Sequence, residues 1–470
     1  MLDLIYKKDL QKVAVIEKNK IRTYEDLNKD IGEIDTIFNS RQIVILLCNN
    51  SYECLLIYLA CLKKGSIPLL LSDNICESHL NEYIKRYLPT YVFSPKEINI
   101  YENKNISFIE NYFIYKNQKD NFVDNKYLSL LLTTSGSTGN PKVVKVSKKN
   151  LTSNTLAICK YLNLSEKERH ITILPMNYTY GLSCINTFLY SGGSIILNSD
   201  AITTKAFWIN VEKNEPTYFS GVPFTYEIIS KYFLEKLKNS SVKVFTQAGG
   251  KLGNQFLEKF IKFSEENNKK FIVMYGQTEA TARMSYLPFS KLKEKIGSIG
   301  IAIPGGKFKL RNTYIENNER NKIMGELVYQ GDNVTEGYAH TFEELSELKK
   351  KPNFLNTGDI AWIDKDNYVF LVGRISKFAK ISGIRVSLVD IEDFLNNLGY
   401  KSAVCSDDIF LRIFIENKEK NKINIVELKK KISNKINISS NSIKFKEISE
   451  MPRLDSGKIN YQKLESDYDK

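Results

Sequence analysis

Short apolar runs alternate with amphipathic segments through the first part of the chain. The apolar run at 42–48 predicts a buried strand, and Ser51 is placed to cap the helix that follows it. Gly65 stands where a helix C-terminal cap belongs, and the run at 67–71 predicts the next strand. The intervening helix has one apolar face, formed by Cys54, Leu55, Tyr58, Leu59 and Leu62. A strand, a helix and a strand in this order indicate a parallel sheet covered on its faces.

The same alternation continues as far as residue 275. Further strands are predicted at 127–133, 194–198, 243–247 and 270–275, and helices at 149–162 and 253–267. Since strands and helices keep alternating, this part of the chain is predicted to be α/β, with parallel-sheet subdomains.

The pattern changes near Gly300. Gly and Asn interrupt the apolar runs, which indicates a small β subdomain, with short strands predicted at 308–312, 325–329 and 368–371. From Val389 onward a smaller mixed α+β segment is predicted, with a strand at 409–415 and a helix at 425–436. We therefore place the boundary between a large and a small domain within 374–388.

Composition excludes several classes of protein. The 470 residues are 42% hydrophobic and 26% charged, an ordinary globular balance, and the net charge of +13 comes from scattered lysines rather than a basic block. No nucleic-acid partner is predicted. Seven cysteines without CxxC spacing and three dispersed histidines favour reduced thiols in the cytoplasm and no zinc site. No apolar run reaches the roughly 18 residues of a membrane span.

The segment TTSGSTGNPK at 133–142 is the strongest local signal. It directly follows a predicted strand, and its glycines permit close approach of the backbone to a ligand. Successive N–H groups, hydroxyls and one lysine could then bind phosphate oxygens. These candidate residues are Thr134, Ser135, Gly136, Ser137, Thr138, Gly139 and Lys142. The alternatives are a flexible surface loop and a P-loop ATPase, although no Gly precedes Lys142 as a P-loop requires.

This segment resembles the phosphate loop of the acyl-adenylate-forming superfamily, which includes acyl-CoA synthetases, luciferases and peptide-synthetase adenylation domains. Further segments are similar to that family's motifs in the same order along the whole chain. They are the acid-pocket segment at 175–181, the adenine-pocket turn at 247–251, the motif at 275–279, the ribose motif at 357–359, the hinge region with Gly373, Arg374, Lys380, Gly383, Arg385 and Glu392, and the terminal lysine motif with Pro452, Gly457 and Lys458.

The resemblance implies that ATP and Mg²⁺ activate a carboxylic acid as an acyl-adenylate. Glu279, after a predicted strand, would hold Mg²⁺ beside Thr278. Tyr275 and Gly276 would contact the adenine. The carboxylate of Asp359, which lies in a turn with Gly, would bind the ribose. The same nucleotide site would include Gly249, Gly250, Lys251 and Arg374.

Two lysines are implied to act in different steps. Lys458 would reach the scissile phosphate and the attacking carboxylate, and Lys380 would face the site in the second half-reaction. The resemblance implies domains at 1–373 and 374–470, the smaller of which rotates about a hinge near Ser376. The chain departs from the family at Ser376, where Asp or Lys is usual, at Asn356, where Arg is common, and at 337–340, which lacks the aromatic-Asn ending.

The acid and the acceptor are less defined by the sequence. Tyr178 stands where acyl- and aryl-CoA ligases commonly have His, and no Asp for an α-ammonium lies in 177–183, so an aryl or short acyl acid is favoured over an amino acid. Tyr178 and Thr281 are the predicted acid-site residues. CoA is the preferred acceptor because the segment at 380–383 resembles acyl-CoA synthetases. A separate carrier protein or an amine is the alternative, since no carrier domain follows Lys458.

A protein of another class, an inactive nucleotide-binding scaffold on the same fold, is the competing hypothesis. The chain keeps Lys142, Glu279, Asp359, Arg374 and Lys458 together, which argues against it.

Overall fold

The structure is a computed structural model that describes residues 9–100, 106–109, 111–133, 142–315, 322–347, 354–375, 378–381, 384–407, 409–418, 423–436, 438–454 and 457–468. The chain forms two compact units. The first comprises Met1–Lys307 and Tyr329–Leu355, and the second comprises Phe308–Val328 and Asn356–Lys470. The boundary near 374 was predicted between a large domain and a small domain that rotates, and it stays a prediction.

The described helices are α1 (Tyr24–Ile34), α2 (Tyr52–Lys64), α3 (Glu77–Tyr87), α4 (Lys148–Leu162), α5 (Thr179–Ser191), α6 (Lys205–Asn214), α7 (Pro223–Tyr232), α8 (Leu234–Lys238), α9 (Asn254–Glu266), α10 (Phe289–Leu292), α11 (Glu343–Ser346), α12 (Leu388–Asn397), α13 (Ile425–Ile436) and α14 (Tyr461–Tyr468).

The described strands are β1 (Val13–Glu17), β2 (Lys20–Thr23), β3 (Ile43–Cys48), β4 (Ile67–Ser72), β5 (Tyr91–Ser94), β6 (Ile106–Ile109), β7 (Tyr112–Lys116), β8 (Leu128–Thr133), β9 (Val143–Ser147), β10 (Arg169–Ile171), β11 (Ser194–Leu197), β12 (Tyr218–Gly221), β13 (Val244–Gln247), β14 (Lys270–Tyr275), β15 (Ser285–Leu287), β16 (Ser298–Ala302), β17 (Lys307–Ile315), β18 (Ile323–Gln330), β19 (Tyr338–Ala339), β20 (Phe354–Ile363), β21 (Val369–Arg374), β22 (Phe378–Ile381), β23 (Ile384–Ser387), β24 (Ser402–Ser406), β25 (Leu411–Glu416) and β26 (Ile443–Ile448).

The first β-α-β unit shows why the early pattern was predictive. Ser51 accepts a hydrogen bond from the N–H of Cys54 at the start of α2, and Gly65 ends the helix at φ +81°. Strands β3 and β4 pair in parallel, as predicted. Alternate residues of β3 pack into two different apolar clusters, one with Val44 and Leu46 and the other with Ile43 and Ile45. Burial on both faces explains the uninterrupted apolar run.

Two mixed sheets form the first unit. One has the strand order β16-β15-β14-β13-β12-β10-β11-β1-β2, and the other has the order β19-β9-β8-β4-β3-β5-β7-β6. In the first sheet β10, β12, β13 and β14 pair in parallel, so their carboxyl ends meet at one edge. Ligands in open α/β sheets bind at such edges.

The second unit is built on smaller sheets. Strands β17, β18, β20 and β21 lie side by side in that order, β22 pairs with β23, and β24-β25-β26 form a third sheet. Helices α12 and α13 pack on this last sheet through a cluster that includes Leu395, Ile413, Leu428 and Ile432. The predicted α/β fold class, with a large part followed by a small α+β part, is confirmed.

Two further findings concern the apolar character of the helices and the state of the cysteines. None of the helices in the described part of the chain is long and apolar enough to cross a membrane. All seven cysteines are free thiols, and most of them are buried.

Glycine at position 300 is required by close backbone contact. Gly300 adopts φ +88°, and a Cβ there would lie 1.9 Å from the carbonyl oxygen of Tyr286. Gly300→Ala is expected to lower the free energy of unfolding by about 2–5 kcal/mol, because left-handed strain adds to steric overlap. Urea unfolding followed by circular dichroism measures the loss.

Gly297→Ala is the matched control. Gly297 has a similar φ of +85°, but no atom lies within 4 Å of the added Cβ. Only the backbone strain of about 1–2 kcal/mol should remain. Equal losses in the two variants would show that the contact with Tyr286 does not matter.

Candidate active site

Three segments singled out by the sequence, together with helix α7, follow the carboxyl ends of neighbouring parallel strands. The loop to α5 follows β10, α7 begins two residues after β12, the turn at 248–251 follows β13, and the motif at 276–279 follows β14. Because these strands are consecutive in the sheet, the segments converge on one edge.

The acid-pocket segment packs against the adenine-pocket turn. A Cβ on Gly249, which has φ +87°, would lie 2.5 Å from the hydroxyl oxygen of Tyr178, so only glycine allows this approach. Gln247 closes the turn by donating to the carbonyl of Gly250 at 2.8 Å, while Lys251 is exposed beside it. Burial raises the pKa of Tyr178 to about 12, so its phenol is protonated at neutral pH.

The motif after β14 is in contact with the first residue of α5. The hydroxyl oxygens of Thr179 and Thr278 are 3.0 Å apart. Gln277 donates to the hydroxyl of Tyr275 at 3.1 Å, which holds that ring at the strand end. A Cβ on Gly276 would lie 1.7 Å from the carbonyl oxygen of Ala282, so the chain folds tightly back on itself there.

Tyr338 joins two predicted phosphate-site residues. Its hydroxyl donates to a carboxylate oxygen of Glu279 at 2.5 Å, and the ammonium of Lys142 lies 3.9 Å from the centre of its ring. The pairing of β19 with β9 fixes this arrangement, because Ala339 is opposite Val143, the residue after Lys142. A cation over an aromatic face is attracted by the ring quadrupole.

The contacts of Tyr338 could not be predicted from the sequence. The segment at 337–340 differs from its surroundings only in departing from the family pattern. An aromatic residue after a glycine was the available signal, but the contact depends on strand pairing between residues about 195 positions apart, counted from 143 to 338.

Arg283 is a second residue that the sequence did not single out. It lies four positions after Glu279 and is only 2% exposed. Its guanidinium donates to the sulfur of Cys184 at 3.1 Å and to the hydroxyl of Tyr161 at 3.3 Å, and it lies 5.0 Å from the centre of the Tyr180 ring.

A buried polar chain extends from this arginine. Cys184 contacts the hydroxyl of Ser220 at 3.4 Å, and Ser220 lies 2.9 Å from Nε2 of His170. Burial, aided by the charge of Arg283, lowers the pKa of His170 to about 3, so the imidazole is neutral near pH 7.

Thr281, the second predicted acid-site residue, is buried with φ +65°. Its hydroxyl donates to the carbonyl of Asn333 at 2.7 Å, a contact that ties the loop after β18 to the motif. Whether it also contacts substrate stays a prediction.

The predicted ribose residues are adjacent in the second unit. Asp359 on β20 is opposite Arg374 on β21, and the arginine Nε lies 3.0 Å from the aspartate carboxylate. The Asp359 side chain is 4% exposed and the Arg374 side chain is 55% exposed. Gly358 has φ +71° and Thr357 is anchored to the carbonyl of Leu327 at 2.7 Å, which fixes the position of this carboxylate.

Lys458 is exposed in a turn of the second unit. The N–H of Leu454 donates to its carbonyl, and Arg453 donates to the carbonyl of Gly457, each at 2.8 Å. Gly457 supplies the positive φ, +77°, that the turn needs. Glu392 stabilises the same unit by accepting from the N–H of Val404 at 2.7 Å.

Several predicted residues lie outside the part that the structure describes. They are the loop residues Thr134, Ser135, Gly136, Ser137, Thr138 and Gly139, the hinge residue Ser376, and Gly383. The backbone of Lys380 belongs to β22, while its side chain is outside the described part.

Comparison with known proteins gives consistent results. A sequence profile described as AMP-binding enzyme matches residues 5–339. The chain is 27% identical over 272 residues to an oxalate–CoA ligase of Arabidopsis thaliana, which is 57% of this chain and 52% of that protein. It is 25% identical over 409 residues to a 2-succinylbenzoate–CoA ligase of Bacillus pumilus, with 82% and 79% covered. The match thus spans about half the length of the Arabidopsis relative.

The fold is also shared with solved structures. The O-succinylbenzoate coenzyme A synthetase of Bacillus subtilis in complex with AMP superposes with a TM-score of 0.77 at 18% identity, over 98% of this chain and 97% of that chain. This confirms the expected α/β architecture. Because the family profile covers well over half of the 470 residues, the chain belongs to the AMP-binding enzyme family.

Proposed function

We propose that this protein is an AMP-forming acid–thiol ligase. In the first step a carboxylate oxygen of the acid bonds to the α-phosphorus of ATP, and the bond to the bridging oxygen breaks, so that pyrophosphate leaves. In the second step a thiolate bonds to the acyl carbon and AMP leaves. The observation that carries the proposal is that Glu279 and the acid-pocket segment meet after β14, while Lys142 lies over the ring of Tyr338, which binds Glu279.

Electrostatics sets the main requirement for the first step. The acid and the triphosphate are both anions, and negative charge is redistributed around phosphorus as the bond forms, so cationic and N–H donors must hold them together. Lys142, over the ring of Tyr338, supplies one cation, and the glycine-rich loop that precedes Lys142 would supply backbone N–H groups.

Glu279 fits the role of a Mg²⁺ ligand. Tyr338 occupies one carboxylate oxygen, and no described residue donates to the other. The described residues contain no group of three or more His, Cys, Asp or Glu that could hold a metal. Mg²⁺ bound by a single carboxylate together with substrate phosphates suits such a site. The ion would neutralise phosphate charge there.

The nucleoside would bind through Asp359 and Tyr275. A carboxylate that is almost fully buried and oriented by Arg374 is suited to accept both ribose hydroxyls. The Tyr275 ring, with Gly276 beside it, offers a face for adenine. Gly249, Gly250 and Lys251 would complete this nucleotide site.

The two steps would use different lysines of the smaller domain. Lys458, exposed on its turn, would stabilise charge in adenylation, and Lys380 would face the acyl-adenylate during transfer. Rotation of residues 374–470 about a hinge near Ser376 would exchange them. We infer that adenylation with Lys458 precedes acyl transfer with Lys380. We also infer that the enzyme is cytoplasmic.

CoA is the proposed acceptor. The two relatives described above, from Arabidopsis and Bacillus, are both named CoA ligases. A separate carrier protein or an amine is the alternative. ATP–pyrophosphate exchange with a library of acids tests the first step, and CoA or hydroxylamine added to the reaction identifies the acceptor. Absence of exchange with every acid, together with retained ATP binding, would favour an inactive scaffold.

Lys458→Ala should slow adenylation on the order of 10²- to 10³-fold, the scale of one lost charge-stabilising donor. Chemically prepared acyl-adenylate should still be consumed by the variant, since the second step does not need this cation. Pyrophosphate exchange and single-turnover thiol transfer measure the two steps separately.

Lys463→Ala is the control, because Lys463 is an exposed lysine of the neighbouring helix α14. It should keep both activities. Exchange at the wild-type rate in Lys458→Ala would rule out the proposed role of Lys458.

Tyr338→Phe should lower the apparent affinity for Mg²⁺ in adenylation by about 10- to 100-fold, because the phenol orients the Glu279 carboxylate. Glu279→Gln should cost more, since it removes the ligand charge itself. A Mg²⁺ titration of pyrophosphate exchange gives the apparent metal affinity of each variant.

Tyr232→Phe is the control for loss of a phenol, since Tyr232 is 64% exposed on α7. Its Mg²⁺ curve should coincide with that of the wild type. An unshifted curve for Tyr338→Phe would mean that its hydroxyl does not position the ligand.

A further inference from the structure

Arg283 is a buried cation without an anionic partner. Among the described residues no carboxylate forms an ion pair with it, and its Nε has no hydrogen-bond acceptor. Its terminal nitrogens contact the sulfur of Cys184 and the hydroxyl of Tyr161, which are weak acceptors. An uncompensated buried charge is costly, so a guanidinium kept in this state indicates a partner that arrives with the ligand.

In the described part of the chain, no carboxylate packs against the guanidinium. His170 is neutral, and the ring of Tyr180 offers only its face. The hydroxyl of Tyr180 is already bound to the carbonyl of Thr246 at 2.9 Å. Burial likewise raises the pKa of the Tyr161 phenol above its ordinary value, so this group stays protonated.

Helix α5 connects the guanidinium with the proposed reaction centre. Thr179, the first residue of α5, touches Thr278, and Cys184, which binds Arg283, is five residues farther along the same helix. Five residues rise roughly 7.5 Å along a helix axis. A molecule lying along α5 would thus reach Thr278 with one end and Arg283 with the other.

The side chains packed around Tyr180 and Cys184 are apolar. They form one buried cluster that also includes Leu174, Val222, Ala248 and Met274. Apolar side chains of this kind favour contact with a hydrocarbon or aryl part of a ligand.

We propose that the acid activated by this enzyme carries a second carboxylate, which binds Arg283. The proposal rests on the proposed adenylation function. Nε and one terminal nitrogen of a guanidinium form a planar fork that matches a carboxylate in a bidentate pair. The reacting carboxylate stays at the Thr278 end of α5, and the second carboxylate lies toward Cys184. An ammonium group beside Arg283 would be repelled. Amino acids whose ammonium lies at this end are therefore excluded as well.

The test compares each α,ω-dicarboxylic or aryl dicarboxylic acid with its half-amide. The half-amide keeps one reactive carboxylate and the shape of the molecule but lacks the second charge. In pyrophosphate exchange, the wild type should prefer the diacid by on the order of 10²- to 10³-fold in kcat/KM, the scale of a buried charged pair. Arg283→Met, which keeps the length of the side chain, should reduce this ratio to less than about tenfold.

Arg169→Met is the matched control, because Arg169 is a partly buried arginine of β10 that binds the carbonyl of Asn214. It should keep the wild-type ratio. Arg283→Lys serves if the Met variant does not fold: it retains the charge but loses the fork, and its ratio should fall between the two. A wild type that uses half-amides as well as diacids, or an unchanged ratio in either Arg283 variant, would overturn the proposal.

Direct binding separates this proposal from the proposed function. Equilibrium dialysis with a radiolabelled diacid and no ATP should show binding that Arg283→Met weakens. Such binding without exchange by any acid would refute adenylation but support the site. Exchange without any preference for diacids would refute the second carboxylate only, and neither binding nor exchange would refute both.

Discussion

Parallel hydrogen bonding between β10, β12, β13 and β14 is the constraint on which the candidate site depends. In a parallel sheet all strands run in one direction, so the loops that leave their carboxyl ends are forced to one edge. Segments that are about 100 residues apart in the chain, such as those at 175–181 and 275–279, therefore meet there. The contact between Thr179 and Thr278 is a direct result of this pairing.

A second constraint comes from the other sheet of the first unit. Strand β19 has only two residues, yet its antiparallel pairing with β9 places Tyr338 against both Lys142 and Glu279. The lysine, which follows the predicted phosphate loop, and the carboxylate, which follows β14, belong to different sheets. Tyr338 thus couples a cation from one sheet to a metal-ligand candidate from the other, and this keeps two opposite charges close without a direct ion pair.

Charge balance distinguishes Arg374 of the second unit from Arg283 of the first. Arg374 is exposed and is already paired with Asp359, so it orients a carboxylate at little electrostatic cost. Arg283 is buried, and none of the described carboxylates pairs with it, so its charge destabilises the fold. Such a cost is tolerated mainly at functional sites, where an unsatisfied buried polar group is offset by the stability of the rest of the fold.

Much of the fold and part of the site could be determined from the sequence alone. Periodicity and caps depend on residues close in the chain, so β3, α2 and β4 were predicted within about one residue, and ordered motifs identified Glu279, Asp359 and Lys142 as site candidates. The tertiary structure alone decided which of these groups touch. Tyr338 and Arg283 gained their significance from strand pairing and from burial among distant side chains. These are long-range properties, and no local pattern of residue types encodes them, because a tyrosine or an arginine acquires its electrostatic surroundings only when remote segments pack around it.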